Sequence, residues 1–448
     1  ELNPNETEGS WGMLDWDHFN SKTIEYINKV NKIWLEEYRI DGFRFDATRM
    51  IGWDMDQLHF GLPSWTSAIS SIDSTIYQIA EHLPSDPWLI DNTDFTSGWH
   101  DSFHDVIKSD VHGNYNSTMD LMRQVVQLHE YSNWGDPYSN RNQAVKYMIS
   151  HDEQSVIQEM VIFNNFTIEE ARERDKFYAN ILFTSLGIPM LFQGQEFGFM
   201  SGWDDENNNG DYDEEKLQYR PIDWSLLDSE VGQSHLDHYS KLILFRKSNP
   251  ALYRGQFHDL YRYSNEKVIV YGYEDVFEQN NNNDQVVVIA NFSTMDQIIS
   301  NIPFLSNGRW YDIFGSYTLD VNENSTYDEF DIPKKTAIIF SNRQWNLNVE
   351  NRKNVPEDYS YFSCYPNPFN DHLTIKFFTF EDKEIKINIF DLNGKIVYTD
   401  ELKNISSGEN FIKWNGMTND GLKLSSAVYI VSIANRTKVY NQKILFLK

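Results

Sequence analysis

Residues 41–46, Asp-Gly-Phe-Arg-Phe-Asp, constrain this chain more than any other stretch. They place an arginine and a carboxylate two residues apart at the end of a short apolar run that reads as a buried strand. Side chains two apart on a strand share a face. Arg44 and Asp46 therefore project together, while Phe43 and Phe45 pack the other way. A guanidinium beside a carboxylate favours the ionised acid and fixes its orientation, which is what a carboxylate nucleophile requires. Taken alone, the pair equally suits a structural Arg–Asp contact.

Two further segments have the same form. Tyr77-Gln-Ile-Ala-Glu81 is an apolar run ending in a carboxylate, and Tyr147-Met-Ile-Ser-His151-Asp152 ends in a His-Asp pair. Helical patterns lie between them. In a parallel α/β barrel all strand C-termini meet on one face, where catalytic groups from different strands converge. Three acid-terminated strands in series are hard to explain as isolated structural pairs.

These segments resemble the catalytic motifs of the α-amylase family, glycoside hydrolase family 13. Gly-Phe-Arg-Phe-Asp46 is similar to its nucleophile motif, Ile-Ala-Glu81 to its acid/base motif, and Ser-His-Asp152 to the motif of its third acid. Gly187-Ile-Pro-Met-Leu-Phe-Gln-Gly-Gln-Glu196-Phe resembles its eighth strand and following loop. Arg220-Pro-Ile-Asp-Trp224, with Phe245-Arg-Lys-Ser-Asn-Pro-Ala-Leu252, resembles its last barrel segment. The likeness runs from about residue 11 to 252 in the family's order, and the order makes it specific. It implies the C-terminal part of a (β/α)8 TIM barrel over residues 1–252.

The resemblance also implies a chemistry. Retaining glycosidases hold two carboxyl groups about 5–5.5 Å apart, one as nucleophile and one as acid/base. Asp46 would attack the anomeric carbon, and Glu81 would protonate the leaving oxygen and later activate water or a sugar hydroxyl. Asp152 and His151 would bind sugar hydroxyls, and Arg44 would keep Asp46 charged. Glu81 must start protonated, so a raised pKa is expected of it.

One departure from the family is that its Asp-x-x-x-Asn-His motif, at the end of the third strand, has no match. The chain opens on a polar stretch, and an amphipathic helix is predicted over Ser21 to Tyr38, with Ile24, Ile27, Val30 and Trp34 near helical spacing. That helix would be the third of the barrel, leaving strands four to eight, and five strands do not close an eight-stranded barrel. The expectation is the C-terminal part of a longer protein, with the 448 residues alone inactive or poorly folded.

Beyond residue 252 short apolar segments alternate with polar turns: Val268–Gly272, Gln285–Ala290, Arg309–Ile313 and Thr336–Phe340. This predicts an all-β sandwich over 253–342, then a polar linker over 343–362. Tyr365-Pro-Asn-Pro-Phe369 opens a last module, 363–448, with strands predicted at Leu373–Phe377, Ile385–Phe390 and Ala427–Ser432. It resembles the C-terminal sorting domain of the bacterial type IX secretion system, which implies a secreted or cell-surface protein that engages that machinery.

Net charge, −29, excludes nucleic acid as a natural partner. No apolar run approaches membrane-spanning length, and the single cysteine, Cys364, excludes an intrachain disulfide framework. Asp205, Asn207 and Asn209 match the first half of an EF-hand-type calcium loop, but Lys216 stands where the bidentate Glu belongs. An acidic solvated loop fits as well, so calcium would at most be structural and no cofactor is required. His100 and His104 are spaced for one helix face, yet such a pair would not converge there on a metal. Asp101, Asp105 and Asp110 read as surface or supporting groups. The leading function is amylase-type hydrolysis of α-1,4 bonds in starch, glycogen or maltodextrin. A 1,4-α-glucan branching enzyme and a non-catalytic glucan-binding surface protein are the alternatives.

Overall fold

The computed structural model describes residues 16–51, 61–113, 115–130, 137–203, 218–276, 283–347, 362–379, 385–403, 408–434 and 439–448. The chain separates into two compact units, residues 1–349 and 350–448.

The first unit begins with α1 (Ser21–Glu36), capped by the Asn20 side chain accepting from the Lys22 N–H at 2.9 Å. It ends two residues before the predicted limit. Ile24, Ile27 and Val30 are half-buried, but Trp34 is exposed, and Thr23 is the fully buried residue of the helix. Then come β1 (Gly42–Phe45), α2 (Gly61–Ile72), β2 (Tyr77–Ala80), α3 (Pro87–Asp91), β3 (Ser97–Trp99), α4 (Asp101–Val111), α5 (Tyr115–Val125), β4 (Ala144–Tyr147), α6 (Val156–Asn164), α7 (Ile168–Thr184) and β5 (Ile188–Met190).

All four strand pairings are parallel and follow chain order, β1-β2-β3-β4-β5. Each crossover carries helix, as parallel neighbours require. Among the described residues β1 and β5 remain the two edges of an open sheet. Trp99, Val145 and Tyr147 pack with Ile79, Ile188 and Met190 on one face. Gly42 lets β1 approach β2 closely, because a Cβ there would lie 2.4 Å from the Tyr77 carbonyl oxygen. α7 starts on a reciprocal capping box, in which the Glu170 N–H donates to Thr167 Oγ1 at 3.2 Å and the Thr167 N–H to Glu170 Oε2 at 3.0 Å.

α8 (Glu230–Ser248) and α9 (Pro250–Tyr253) lead into β6 (Gln256–Tyr263), β7 (Val268–Glu274), β8 (Gln285–Asn291), β9 (Gln297–Pro303), β10 (Gly308–Asp312), β11 (Thr318–Val321), β12 (Thr326–Ile332) and β13 (Thr336–Ser341). Six of these strands form one sheet, ordered β11-β10-β13-β8-β7-β6, and β12 pairs with β9. β8 is buried along its whole length because both faces are covered. Val287 and Ile289 face Ile299, Ile302 and Ile332 of the small sheet. Val286, Val288 and Ala290 share a core with Phe177, Ile181, Leu242 and Phe245 of α7 and α8. Lys335 Nζ reaches both carboxylate oxygens of Asp110 on α4 at 2.7 Å, and both side chains are buried. Asp110 is thus an interior group, not the surface or supporting carboxylate expected from sequence. The reason lies in a partner remote in the chain.

In the second unit β14 (Phe362–Tyr365), β15 (Leu373–Thr379) and β18 (Gly408–Trp414) form one antiparallel sheet. β16 (Ile385–Phe390), β17 (Ile396–Leu402), β19 (Ala427–Ala434) and β20 (Val439–Phe446) form another. Leu373, Ile375, Trp414, Ile387, Val431 and Phe446 make the core between them. Most of the 343–362 segment read as a linker lies outside the described residues.

Candidate active site

β1, β2 and β4 run in the same direction, so their C-terminal ends open on one edge of the sheet. Asp46 follows β1 and Glu81 follows β2 directly, whereas Asp152 comes five residues after β4. The structure brings the first two together through Arg44. One guanidinium nitrogen hydrogen-bonds Asp46 Oδ1. The other, Nη2, lies 2.6 Å from Glu81 Oε1, an ion pair without hydrogen-bond alignment. The guanidinium is held from behind by Trp99, with Cζ 4.3 Å from the ring centroid. Sequence reading assigned Arg44 to Asp46 alone; here it serves both acids.

Glu81 and Asp46 sit in different environments. The Asp46 side chain is 75% exposed and that of Glu81 11%. Backbone bonds lock Glu81, with its N–H donating to the Phe45 carbonyl at 3.0 Å and its own carbonyl accepting from the Thr48 N–H at 2.8 Å. The Ala47 N–H donates to Glu81 Oε2 at 2.7 Å. Ala47 has left-handed backbone (φ 41, ψ 48), a conformation that costs a non-glycine residue about 1–2 kcal/mol. Burial pushes the Glu81 carboxyl above its ordinary value, and the Asp46 and Asp152 charges add to the push. The Ala47 N–H and the Arg44 cation oppose it.

His151 and Asp152 stand at the rim, both more than half exposed, with Nε2 3.2 Å from Oδ2. The His151 ring meets Trp99 edge-on, its centroid 6.3 Å away, so Trp99 links the Arg44 side of the site to the His151 side. Arg220, from the Arg-Pro-Ile-Asp-Trp run, lies over Trp203 at 4.8 Å and donates to the His151 carbonyl at 3.4 Å. Trp99 and the Ala47 N–H were missed from sequence. The three-residue strand Ser97–Trp99 shows no alternation to read, and a backbone donor has no sequence signature.

His100 and His104 diverge into separate contacts: His100 Nε2 lies 3.7 Å from Glu130 Oε1, while His104 Nδ1 lies 2.8 Å from the Met148 carbonyl. Burial pushes Glu130 up to about 7. Among the described residues no group of three or more His, Cys, Asp or Glu side chains is arranged to hold a metal. Asp205, Asn207 and Asn209 lie outside the described residues.

A sequential parallel β/α series with three acids along its C-terminal edge defines a class: an α/β protein with carboxylates gathered at the C-terminal edge of its sheet. The particular family follows from comparison. The family described as "Alpha amylase, catalytic domain" matches residues 10–225, and "Secretion system C-terminal sorting domain" matches residues 363–447. Those two segments match these families, the first of them a family of enzymes. Alpha-amylase 2 of Dictyoglomus thermophilum is 23% identical over 299 residues, 66% of this chain and 46% of that protein. A pullulanase of Bacillus subtilis is 24% identical over 280 residues, covering 57% and 37%. A 1,4-alpha-glucan branching enzyme of Bacillus mycoides is 21% identical over 253 residues, covering 54% and 36%. The chain thus spans less than half the length of these curated relatives. Among solved structures, an Anoxybacillus pullulanase complexed with maltotetraose superposes with a TM-score of 0.54 at 21% identity, covering 75% of this chain and 49% of that one. An alpha-amylase of Geobacillus thermoleovorans complexed with acarbose gives 0.53 at 16% identity, covering 75% and 68%. At these identities the likeness is one of fold.

Proposed function

We propose that the protein is a retaining α-glucan-active glycosidase that hydrolyses α-1,4 bonds of starch, glycogen or maltodextrin. The observation that carries this reading is the Arg44 guanidinium shared by an exposed Asp46 and a buried Glu81. Two carboxyl groups held side by side in unlike surroundings can divide the roles of nucleophile and acid. Asp46 attacks the anomeric carbon as the glycosidic C–O bond breaks, and the Glu81 proton passes to the leaving oxygen. The resulting Glu81 carboxylate then takes a proton from water, whose oxygen displaces Asp46 from the sugar. Asp152 and His151 hold sugar hydroxyls.

β1–β5 correspond in this reading to strands four to eight of an eight-stranded barrel within residues 1–252, followed by an all-β domain over 253–342. The module at 363–448 would direct the protein through type IX secretion to the medium or the cell surface. Among the described residues no helix is long and apolar enough to cross a membrane.

In the intact protein, Asp46→Asn and Glu81→Gln are each expected to lower turnover of amylose by more than about 10³-fold, with thermal unfolding unchanged. Near-normal activity in either variant overturns the assignment. A second reading, glucan branching, is favoured by the Ser150–Glu153 run and by the branching-enzyme relatives. It passes the glycosyl group to a sugar hydroxyl instead of water. Product analysis separates the two, since new α-1,6 links at constant reducing ends mark transfer, and pullulan is a second substrate to assay. Glucan binding without any turnover by the wild type would favour the non-catalytic reading.

A further inference from the structure

His104 lies on α4, outside the three acids, yet it touches both ends of the turn that bears two of the site's side chains. Its Nδ1 is 2.8 Å from the Met148 carbonyl oxygen, and its Nε2 is 3.4 Å from Glu153 Oε2. Between these anchor points the chain runs Met148-Ile-Ser-His-Asp-Glu153, with His151 and Asp152 at its exposed apex. The imidazole itself is buried and stacks on Tyr147 of β4, with centroids 5.7 Å apart and planes 18° from parallel.

The hydrogen-bonding rules fix the protons. A carbonyl oxygen only accepts, so Nδ1 must carry a hydrogen. The Nε2–Oε2 contact lacks hydrogen-bond alignment, but in a neutral ring it would still set a lone pair near a carboxylate oxygen, a repulsion that the buried ring and the 29% exposed Glu153 leave only partly screened. A second proton on the ring turns this repulsion into an ion pair. The proton belongs on His104 and not on Glu153, because Lys108 Nζ also lies 3.5 Å from the same Oε2 and attracts only the carboxylate.

We propose that His104 is a positioning residue, an imidazolium staple that ties Met148 to Glu153 and thereby aims His151 and Asp152 into the site. The proposal rests on the glycosidase reading only for its effect on turnover. Glu153 of the turn and Asp101 of α4 act on the ring, Tyr147 of β4 stacks on it, and Lys108 of α4 meets the same Glu153 oxygen. Glu159 of α6 is one step further, 3.6 Å from Lys108 Nζ and 2.6 Å from His112 Nε2. Asp101 is itself tied to the Tyr147 hydroxyl, which donates to Oδ1 at 2.7 Å. Burial pushes the His104 pKa down, but Glu153, the Met148 carbonyl and Asp101 outweigh it and the net direction is up. The staple is therefore closed at and below the ordinary histidine pKa and opens as pH rises through the raised folded value.

The test is ring-¹⁵N NMR of the intact protein labelled at histidine, with the His104 signal identified by its loss in His104→Gln. If that variant does not fold, the signal is identified as the one whose protonation changes in Glu153→Gln. His104 is expected to titrate above the ordinary histidine range, and in Glu153→Gln to lose its second proton at lower pH, leaving one proton on Nδ1. Glu153→Gln should also lower kcat by about 10- to 100-fold and move the alkaline limb of the pH profile to lower pH. A wild-type ring that titrates at or below the ordinary histidine value, or a Glu153→Gln variant with ring charge and pH profile unmoved, overturns the proposal. The NMR reading needs no turnover, so it separates failure of the staple from failure of the glycosidase assignment.

Discussion

Arg44 is the residue on which the site turns. It is the guanidinium of the sequence pattern, and in the fold it is wedged between Asp46, Glu81 and the Trp99 ring. A lysine offers one point charge and no planar fork, so Arg44→Lys cannot serve both acids while lying on the indole. Arg44→Gln has a directional consequence. The Arg44 cation holds Glu81 down against burial, so its removal raises the Glu81 pKa further. The general acid then stays protonated to higher pH. The alkaline limb of kcat/KM should move upward in Arg44→Gln, with turnover falling by at least about 10-fold. A pH–rate profile of the two enzymes checks it, and a limb that moves downward would contradict the electrostatic account.

At the scale of elements, the pairing of β1 with β2 sets the distance between Asp46 and Glu81, and Gly42 sets that pairing. Alanine at 42 would drive its Cβ against the Tyr77 carbonyl. Gly42→Ala should cost about 1–3 kcal/mol, the usual range for overpacking, in denaturant unfolding, and should lower kcat more than it raises KM. β1 and β2 were legible because each is a short apolar run closed by an acid, whereas the run Tyr147–Asp152 lies past the end of β4 (Ala144–Tyr147); the strands beyond residue 252 were legible because they alternate or run apolar between polar turns. What sequence could not show is contact between chain segments of no pattern. Trp99 comes from a three-residue strand, Ala47 acts through its backbone, and Asp110 finds Lys335 at a separation of 225 residues. Composition could not reveal that Asp110 is interior, because an aspartate in a polar helix reads as solvated until its partner is known.

Across the first unit as a whole, the six-stranded sheet is not an appendage of the α/β part. One of its faces completes the core of α7 and α8, and the Asp110–Lys335 pair is locked into that packing, with the Tyr178 hydroxyl donating to Asp110 Oδ2 at 2.7 Å. Removing one member of a buried pair strands the other charge, so Lys335→Met should destabilise the unit by about 3–5 kcal/mol. The combined Asp110→Leu, Lys335→Met change should recover most of that loss. Chemical denaturation of the three variants decides it, and a single change that costs nothing would mean that water reaches the pair. The order of the chain carries a consequence of its own. β1–β5 pair in the order in which they are synthesised, and the acids and their supports all lie before residue 225, whereas the sorting segment begins at residue 363. The sorting segment thus leaves the ribosome after the strands bearing the acids, which have by then been free to pair. In the proposed export route, whatever reads that segment meets a cargo in which β1–β5 have had time to pair.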